Sequence, residues 1–102
     1  KMATKKRISR EKLEKAAYIL KTIGHNERLA IIELMSEKRE MAINEICGEL
    51  ELEQSVISHH LLNMKIKGLL ASRKEGTNIY YSLKEKNLNE IIACVEKCDC
   101  NM

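Results

Sequence analysis

Two helical segments separated by only three residues most limit what this chain can fold into. Apolar residues at helical spacing predict one helix over residues 43–50 and a second over about residues 54–67, which Gly68 ends. The connection between them is Glu51-Leu52-Glu53. Because a turn of this length sets two helices at a steep angle, the pair is predicted to form a helix-turn-helix.

Directly after Gly68 the apolar pattern changes from helical to alternating, which predicts a β-hairpin. The strands are LASRK, residues 70–74, and NIYYSL, residues 78–83, joined by the loop Glu75-Gly76-Thr77. Further helices are predicted over about residues 10–23, 26–36 and 87–97. The expected fold is mainly α with a small β-hairpin, in the order α-α-α-α-β-β-α, which is a winged helix-turn-helix.

One domain is expected from the length of 102 residues, since no repeat or linker divides the chain. We predict a flexible basic tail over residues 1–9, the folded domain over residues 10–97 and a cysteine-containing tail over residues 98–102. Within the domain, EKRE at residues 37–40 is predicted to be a polar connection. No apolar run approaches the roughly 20 residues that span a bilayer, and the N-terminus lacks the apolar stretch of a signal peptide. The chain is therefore expected in the cytoplasm, without a membrane partner, where its four cysteines stay reduced.

Positive charge is concentrated at two places in the chain. Residues 1–21 carry eight Lys or Arg against two Glu, and residues 61–74 carry four basic residues and no acid. Those four are Lys65, Lys67, Arg73 and Lys74. A basic arm and a basic stretch can contact phosphates, although solvated charged surface is the commoner outcome of such runs. Charge alone leaves both interpretations open.

The helix predicted at residues 54–67 has an apolar side and a polar side. The apolar side, which includes one histidine, is expected to pack against the preceding helix and comprises Ile57, His60, Leu61 and Met64. The polar side points away and comprises Ser55, Ser58, His59 and Asn63. Short polar side chains near such a helix N-terminus are suited to enter a DNA major groove and reach base edges. Adjacent helical residues point about 100° apart, so His59 and His60 are not expected to share a metal ion.

The stretch LEQSVISHHLLNMKIKGLLASRKEGTNIYYSL, residues 52–83, resembles the core of the ArsR/SmtB family of bacterial metal-responsive repressors. The motifs that carry the resemblance are Ser58-His59-His60-Leu61, Gly68-Leu69 and Tyr80-Tyr81-Ser82-Leu83. The upstream HNERLAIIELM is similar to the family's second helix, and the resemblance covers about residues 10–98. Leu62 and Ile66 depart from the family, which usually has polar residues there. Either the helix is rotated slightly, or these two side chains meet another surface.

The resemblance implies a DNA-binding repressor rather than an enzyme, homodimeric through its first and last helices. It also implies that the start of the fourth helix faces bases or nearby phosphates, while the wing tip follows the DNA backbone. Together with the basic residues, the predicted contacts with double-stranded operator DNA are Gln54, Ser55, Ser58, His59, Lys65, Arg73, Lys74 and Thr77.

Three of the four cysteines, Cys94, Cys98 and Cys100, lie within seven residues of one another near the C-terminus. Cys94 and Cys98 are four residues apart, on one face of the predicted last helix. Three thiolates at that place would suit arsenite or a soft divalent ion such as cadmium or zinc. For Cys94 and Cys98, burial as small apolar side chains is the alternative.

The resemblance offers three locations for a sensor site. The arsenic-sensing element of the third helix retains only Cys47 here, and that residue is expected to belong to the core. The zinc-sensing positions of the last helix correspond to Glu85, Asn87, Cys98 and Asn101, a poor zinc site. The cluster of Cys94, Cys98 and Cys100 resembles the third, arsenite-binding type best.

The leading hypothesis is a repressor that leaves operator DNA when its inducer, arsenite or a soft divalent metal ion, binds the C-terminal thiols. No cofactor is expected to be required for folding. A redox or persulfide sensor on the same fold is the alternative. A helix-turn-helix interaction module without specific DNA binding is less favoured. A thiol enzyme is disfavoured because the chain lacks a Cys-x-x-Cys motif, a Gly-rich phosphate loop and an acid–base pair beside a nucleophile.

Overall fold

The computed structural model describes residues 7–98. Residues 1–6 and 99–102, which include most of both predicted tails and Cys100, lie outside the described residues. The elements follow one another as α1 (Arg10–Ile23), α2 (Asn26–Glu37), β1 (Met41–Ala42), α3 (Ile43–Leu50), α4 (Gln54–Ile66), β2 (Leu70–Glu75), β3 (Asn78–Leu83) and α5 (Leu88–Lys97). The predicted winged helix-turn-helix is confirmed. Within residues 7–98, no helix has both the length and the apolarity needed to cross a bilayer.

One strand, β1, is absent from the sequence prediction, in which the polar connection leads directly into a helix. Met41 and Ala42 pair antiparallel with Tyr81 and Tyr80 of β3, so the sheet has three strands in the order β1-β3-β2. Two residues are too few to show an alternating pattern in the sequence, so only their pairing with β3 identifies Met41 and Ala42 as a strand. Met41 is only 1% exposed, so β1 anchors the chain between α2 and α3 in the core.

The hairpin of β2 and β3 is closed by a turn one residue shorter than predicted. Glu75 pairs with Asn78, which leaves Gly76 and Thr77 as the turn. Gly76 has a φ of 64°, in the left-handed region that two-residue hairpin turns favour. The wing tip is therefore tight, and its direction is set by the strand register.

The core is built from fully buried side chains of the second, third, fourth and fifth helices and of the sheet. These are Ile31, Ile32, Met41, Ile46, Ile57, Leu61, Met64, Leu70 and Leu88. Three of them belong to α4, and burying each aliphatic side chain of this size contributes about 1.5–3 kcal/mol. The helix-turn-helix thus depends on α4 packing against both α3 and the rest of the core.

Two left-handed residues set the direction in which the chain enters and leaves α4. Glu51, with a φ of 55°, ends α3, and its N–H donates to the carbonyl oxygen of Cys47. Gly68, with a φ of 83°, follows α4 and donates to the carbonyl of Lys65 at 3.0 Å. The N–H of Leu69 donates to the carbonyl of Met64 at 2.9 Å, which completes a Schellman motif and turns the chain into β2.

We expect Met41→Ala to lower the free energy of unfolding by about 2–5 kcal/mol, because it removes buried side-chain volume from β1. Ile66→Ala is the matched control, since Ile66 is 74% exposed, and its effect should stay within about 0.5 kcal/mol. Urea titration of both variants measures the difference. Equal midpoints for Met41→Ala and the parent would contradict a core role for β1.

Candidate nucleic-acid interface

α4 displays polar side chains around its N-terminal half. Gln54, Ser55 and His59 are exposed, and Ser58 is half-buried. Ser55 and His59 are four residues apart and so lie on one face of the helix. This surface has the size and polarity of a helix that enters a major groove, with hydroxyl, amide and imidazole groups available for base edges.

The opposite side of α4 is buried, as predicted from the helical wheel. Ile57, Leu61 and Met64 have no exposed surface, and His60 is 5% exposed. This burial fixes the rotation of the helix about its own axis. The polar residues therefore face outward because their neighbours are held inward.

Asn63 differs from the prediction, which placed it on the outward side. It is half-buried, and its Oδ1 accepts a hydrogen bond of 2.9 Å from Nη1 of Arg28. The same Nη1 donates to the carbonyl of Thr22 at 3.0 Å, and Nε donates to Nδ1 of His60 at 3.0 Å. These four residues form the Arg28 clamp, which ties the end of α1, the start of α2 and the middle of α4 together.

The Arg28 clamp also determines the tautomer of His60. A guanidinium only donates, so Nδ1 of His60 must accept, and its proton must sit on Nε2. Nε2 lies 2.9 Å from Oε1 of Glu27, to which it donates. His60 is therefore packed, as predicted, and both of its ring nitrogens are hydrogen-bonded.

No sequence signal connects the members of the Arg28 clamp. Arg28 is 32 residues from His60 and 35 from Asn63, and Glu27 is 33 residues from His60. Helical periodicity relates positions three or four apart, so it carries no information on such pairs.

The wing presents the residues predicted to contact the DNA backbone. Lys74 on β2 and Thr77 in the turn are exposed, as is Lys65 in the last turn of α4. The structure places all three on the outer surface, where phosphates have access to them. Their predicted role in DNA binding remains a prediction.

Arg73, also predicted as a DNA contact, is held by acidic neighbours. Its Nε and Nη2 donate to the two carboxylate oxygens of Glu40 at 2.7 and 2.9 Å, and Nη1 donates to Glu75 at 2.8 Å. The guanidinium lies over the ring of Tyr80, 4.8 Å from its centroid. The hydrogen bond from Arg73 lowers the pKa of the Glu40 carboxyl below its ordinary value, and the two carboxylates raise the pKa of Arg73. A phosphate would have to compete with this bidentate pair.

Leu62 and Ile66 are exposed on the outer side of α4, at 57% and 74%. Because Ile57, Leu61 and Met64 occupy the core, the helix is not rotated to cover them. Of the two interpretations that the sequence left open, rotation of the helix is disfavoured, and contact of Leu62 and Ile66 with another surface stays a prediction.

Cys94 of α5 and Cys98, the residue that caps this helix, are on the surface. Cys94 and Cys98 are exposed, so neither serves as a buried small side chain within the single chain. Cys100 lies outside the described residues. Cys47 is half-buried and packs against the core, in keeping with the expectation for it.

A group of potential metal ligands that the sequence analysis did not identify lies at the start of α2. Among residues 7–98, the ligand atoms of His25, Glu27 and His60 lie within 4.8 Å of one another. From the sequence, His59 and His60 are not expected to share a metal ion. Their ring centroids are 5.9 Å apart, and the ring planes are tilted. His60 therefore shares a potential metal site with His25, 35 positions earlier in the chain, and not with the adjacent His59.

Residues 25–72 match the family described as bacterial regulatory protein, arsR family. An uncharacterized HTH-type transcriptional regulator of Methanocaldococcus jannaschii is 41% identical over 87 residues, which cover 85% of this chain and 98% of that protein. The arsenical resistance operon repressor of Escherichia coli is 35% identical over 65 residues, covering 64% of this chain and 56% of that protein. The structure of HlyU from Vibrio cholerae superposes with a TM-score of 0.81 at 28% identity, covering 91% of this chain and all of that one (100%).

We expect Arg28→Ala to lower the free energy of unfolding by about 1–3 kcal/mol, because it leaves acceptors on His60 and Asn63 without their donor. Arg39→Ala removes the same charge from an exposed position and should cost much less. Thermal unfolding of both variants at one pH measures the difference. An equal loss of unfolding free energy in the two variants would mean that the hydrogen bonds of the Arg28 clamp do not stabilise the fold beyond the effect of the charge.

Proposed function

Since the chain belongs to the arsR family of bacterial regulatory proteins and is a transcriptional regulator, we propose that it acts as a homodimeric repressor. In this proposal, α4 reads operator DNA and a thiophilic ligand at the C-terminal cysteines releases the protein. The observation that carries it is the division of α4 into a polar, exposed N-terminal surface and a buried opposite side held by the Arg28 clamp.

Base recognition is assigned to the N-terminal half of α4. Side chains of Gln54, Ser55 and His59 are exposed there and carry donors and acceptors that match base edges. Ser58, half-buried, is suited to a phosphate or base at the rim of the contact. The rigid backing of α4 supports this role, because a helix that cannot rotate presents one fixed pattern of groups.

Backbone contacts are assigned to Lys65, Lys74 and Thr77. Lysine ammonium groups neutralise phosphates irrespective of sequence, and the turn hydroxyl of Thr77 is available to donate to a phosphate oxygen. Arg73 joins this set only by exchanging the carboxylates of Glu40 and Glu75 for a phosphate. We therefore assign Arg73 a smaller contribution than Lys74.

Pairing of two chains is assigned to the surfaces of α1 and α5. Leu13, Leu20 and Val95 are all about half-exposed in the single chain, and Ile91, four residues before Val95, is half-buried. Apolar side chains in this number on two adjacent helices favour burial against a second copy. Two α4 helices held by such a dimer would have to match half-sites about one DNA turn apart.

The inducer site is assigned to Cys94, Cys98 and Cys100. Cys94 and Cys98 are both exposed residues, which supports a site that a ligand enters from solvent. Three thiols can replace the three hydroxyl groups of arsenous acid with release of water, and thiolates bind soft divalent ions. The E. coli relative is a repressor of an arsenical resistance operon, which supports this class of inducer. Since apolar side chains make up the core of the described residues, we propose that folding needs no cofactor.

A redox or persulfide sensor is the alternative within the same fold. Oxidation would join two thiols as a disulfide while the oxidant, a peroxide for example, takes up the two electrons. Residues four apart on an intact helix have Cβ atoms about 5–6 Å apart, whereas a disulfide needs about 3.5–4.5 Å. Cys94 lies in α5 and Cys98 is the residue that caps its C-terminus, so a bond between them would require the last turn of α5 to change conformation, which favours the ligand-binding proposal.

We expect Ser55→Ala combined with His59→Ala to weaken binding to a specific duplex by about 1–3 kcal/mol for each lost contact. The probe is a duplex selected for tight binding from a random library, and fluorescence anisotropy measures the affinity. Lys74→Ala is the contrasting control, which should weaken binding to selected and scrambled duplexes alike and lower the salt slope. Unchanged affinity of the double variant for the selected duplex would remove α4 from the reading role.

We expect Leu13→Glu to convert the parent dimer into a folded monomer of 11.7 kDa, because it places a charge in the proposed apolar interface. Leu62→Glu is the matched control, since Leu13 and Leu62 are 53% and 57% exposed. Sedimentation velocity measures the mass of each. A parent chain that sediments as a monomer, or dissociation by Leu62→Glu alone, would contradict the proposed interface.

We expect replacement of Cys94, Cys98 and Cys100 together by Ser to leave DNA binding intact and to abolish release by arsenite. Cys47→Ser, which alters the cysteine outside the cluster, should still be released. Titration of the protein–DNA complex with arsenite, cadmium and peroxide in parallel measures the response. If arsenite still released the triple variant from DNA, the inducer site would have to lie at other residues. A parent protein that responds to peroxide alone would favour the redox alternative.

A further inference from the structure

His25, Glu27 and His60 converge at the junction of α2 and α4. His25 is the N-cap of α2, with Nδ1 accepting from the N–H of Glu27 at 3.3 Å, and its side chain is exposed. Glu27 is half-buried, and His60 lies beneath it at 5% exposure. The imidazole centroids of His25 and His60 are 4.8 Å apart at an interplanar angle of 63°.

We propose that these three residues form a site for a borderline divalent transition-metal ion, such as zinc or cobalt. Two imidazoles and one carboxylate are a ligand set that such ions accept, with a water molecule in the remaining position on the exposed side of His25. One ligand atom from each residue already lies within 4.8 Å of the other two, and His25 is exposed. This chemistry differs from that of the thiol cluster, which prefers softer ions.

Metal binding at this site requires His60 to change its hydrogen bonds. The ion takes the lone pair of Nε2, so the proton now on Nε2, which is donated to Glu27, transfers to Nδ1 and the ring stays neutral. Nδ1–H then faces Nε–H of Arg28, which is 3.0 Å away in the present arrangement. Two donors cannot form a hydrogen bond, so Arg28 must withdraw from His60.

Withdrawal of Arg28 links the metal to the helix assigned to DNA. Arg28 also holds Asn63 of α4 and the carbonyl of Thr22, so its movement loosens the join between α1, α2 and α4. The ion in turn ties α4 to the start of α2 through His60 and Glu27. The effect of this change on DNA binding rests on the proposed function, whereas the metal site itself does not.

The test uses the full chain with Cys47, Cys94, Cys98 and Cys100 replaced by Ser, so that thiols contribute nothing to metal binding. Cobalt(II) chloride is titrated in the absence of DNA, and its visible absorption reports coordination by nitrogen and oxygen. We expect one equivalent to bind per chain. Glu27→Gln, and separately His25→Asn, which retains a side-chain oxygen for the N-cap, should each weaken binding at least about tenfold.

His59→Asn is the matched control, because His59 is an exposed histidine next to His60 that the proposal leaves out. Its affinity for cobalt should equal that of the thiol-free parent. The site is overturned if the thiol-free parent binds no cobalt, or if Glu27→Gln and His25→Asn both bind as tightly as it does. Since neither DNA nor thiols enter this measurement, failure of the repressor proposal would leave its result unaffected.

A second readout tests the movement of Arg28. With diamagnetic zinc in place of cobalt, the ¹⁵N-resolved signal of the Arg28 Nε–H should shift on binding, because its acceptor on His60 is lost. A signal that stays unchanged at saturating zinc would overturn the link to Arg28. A shift that is absent in His25→Asn at the same zinc concentration would tie the movement to this site.

Discussion

Burial of one side of α4 is the constraint on which the rest of the structure depends. Ile57, Leu61 and Met64 are completely inside, and each contributes about 1.5–3 kcal/mol that would be lost if the helix turned about its axis. A helix with one side held in this way displays a fixed set of residues on the other. The exposed positions of Ser55 and His59 are therefore a consequence of core packing.

Apolar packing alone leaves a helix free to slide along its axis by small amounts, and the Arg28 clamp removes part of that freedom. Hydrogen bonds have definite directions and lengths, so the bonds from Arg28 to His60 and Asn63 locate α4 relative to α2. His60 is among the buried polar residues, yet both of its ring nitrogens are satisfied, which avoids the cost of an unpaired buried group. The same arrangement places Glu27 and His25 beside His60, so one network supports both the orientation of α4 and the proposed metal site.

The wing is organised by charge as well as by strand pairing. Arg73 on β2 joins Glu40, which precedes β1, to Glu75 at the end of its own strand, and it also covers the ring of Tyr80. Exposed ion pairs of this kind contribute little to stability on average. Their effect here is to hold the Arg73 guanidinium beside two carboxylates, whereas Lys74 on the same strand is exposed.

The sequence by itself determined the order of the helices and the hairpin, the inward side of α4 and the family, because each of these depends on short-range periodicity or on contiguous motifs such as residues 58–61. Only the tertiary structure decided that Met41 and Ala42 form a strand, that Asn63 faces Arg28, that Arg73 is paired with acids, and that His25 lies beside His60. These features join positions roughly 30 to 40 residues apart in the chain. Periodic patterns relate neighbours within one helix or strand, whereas contacts between elements depend on how the whole core packs.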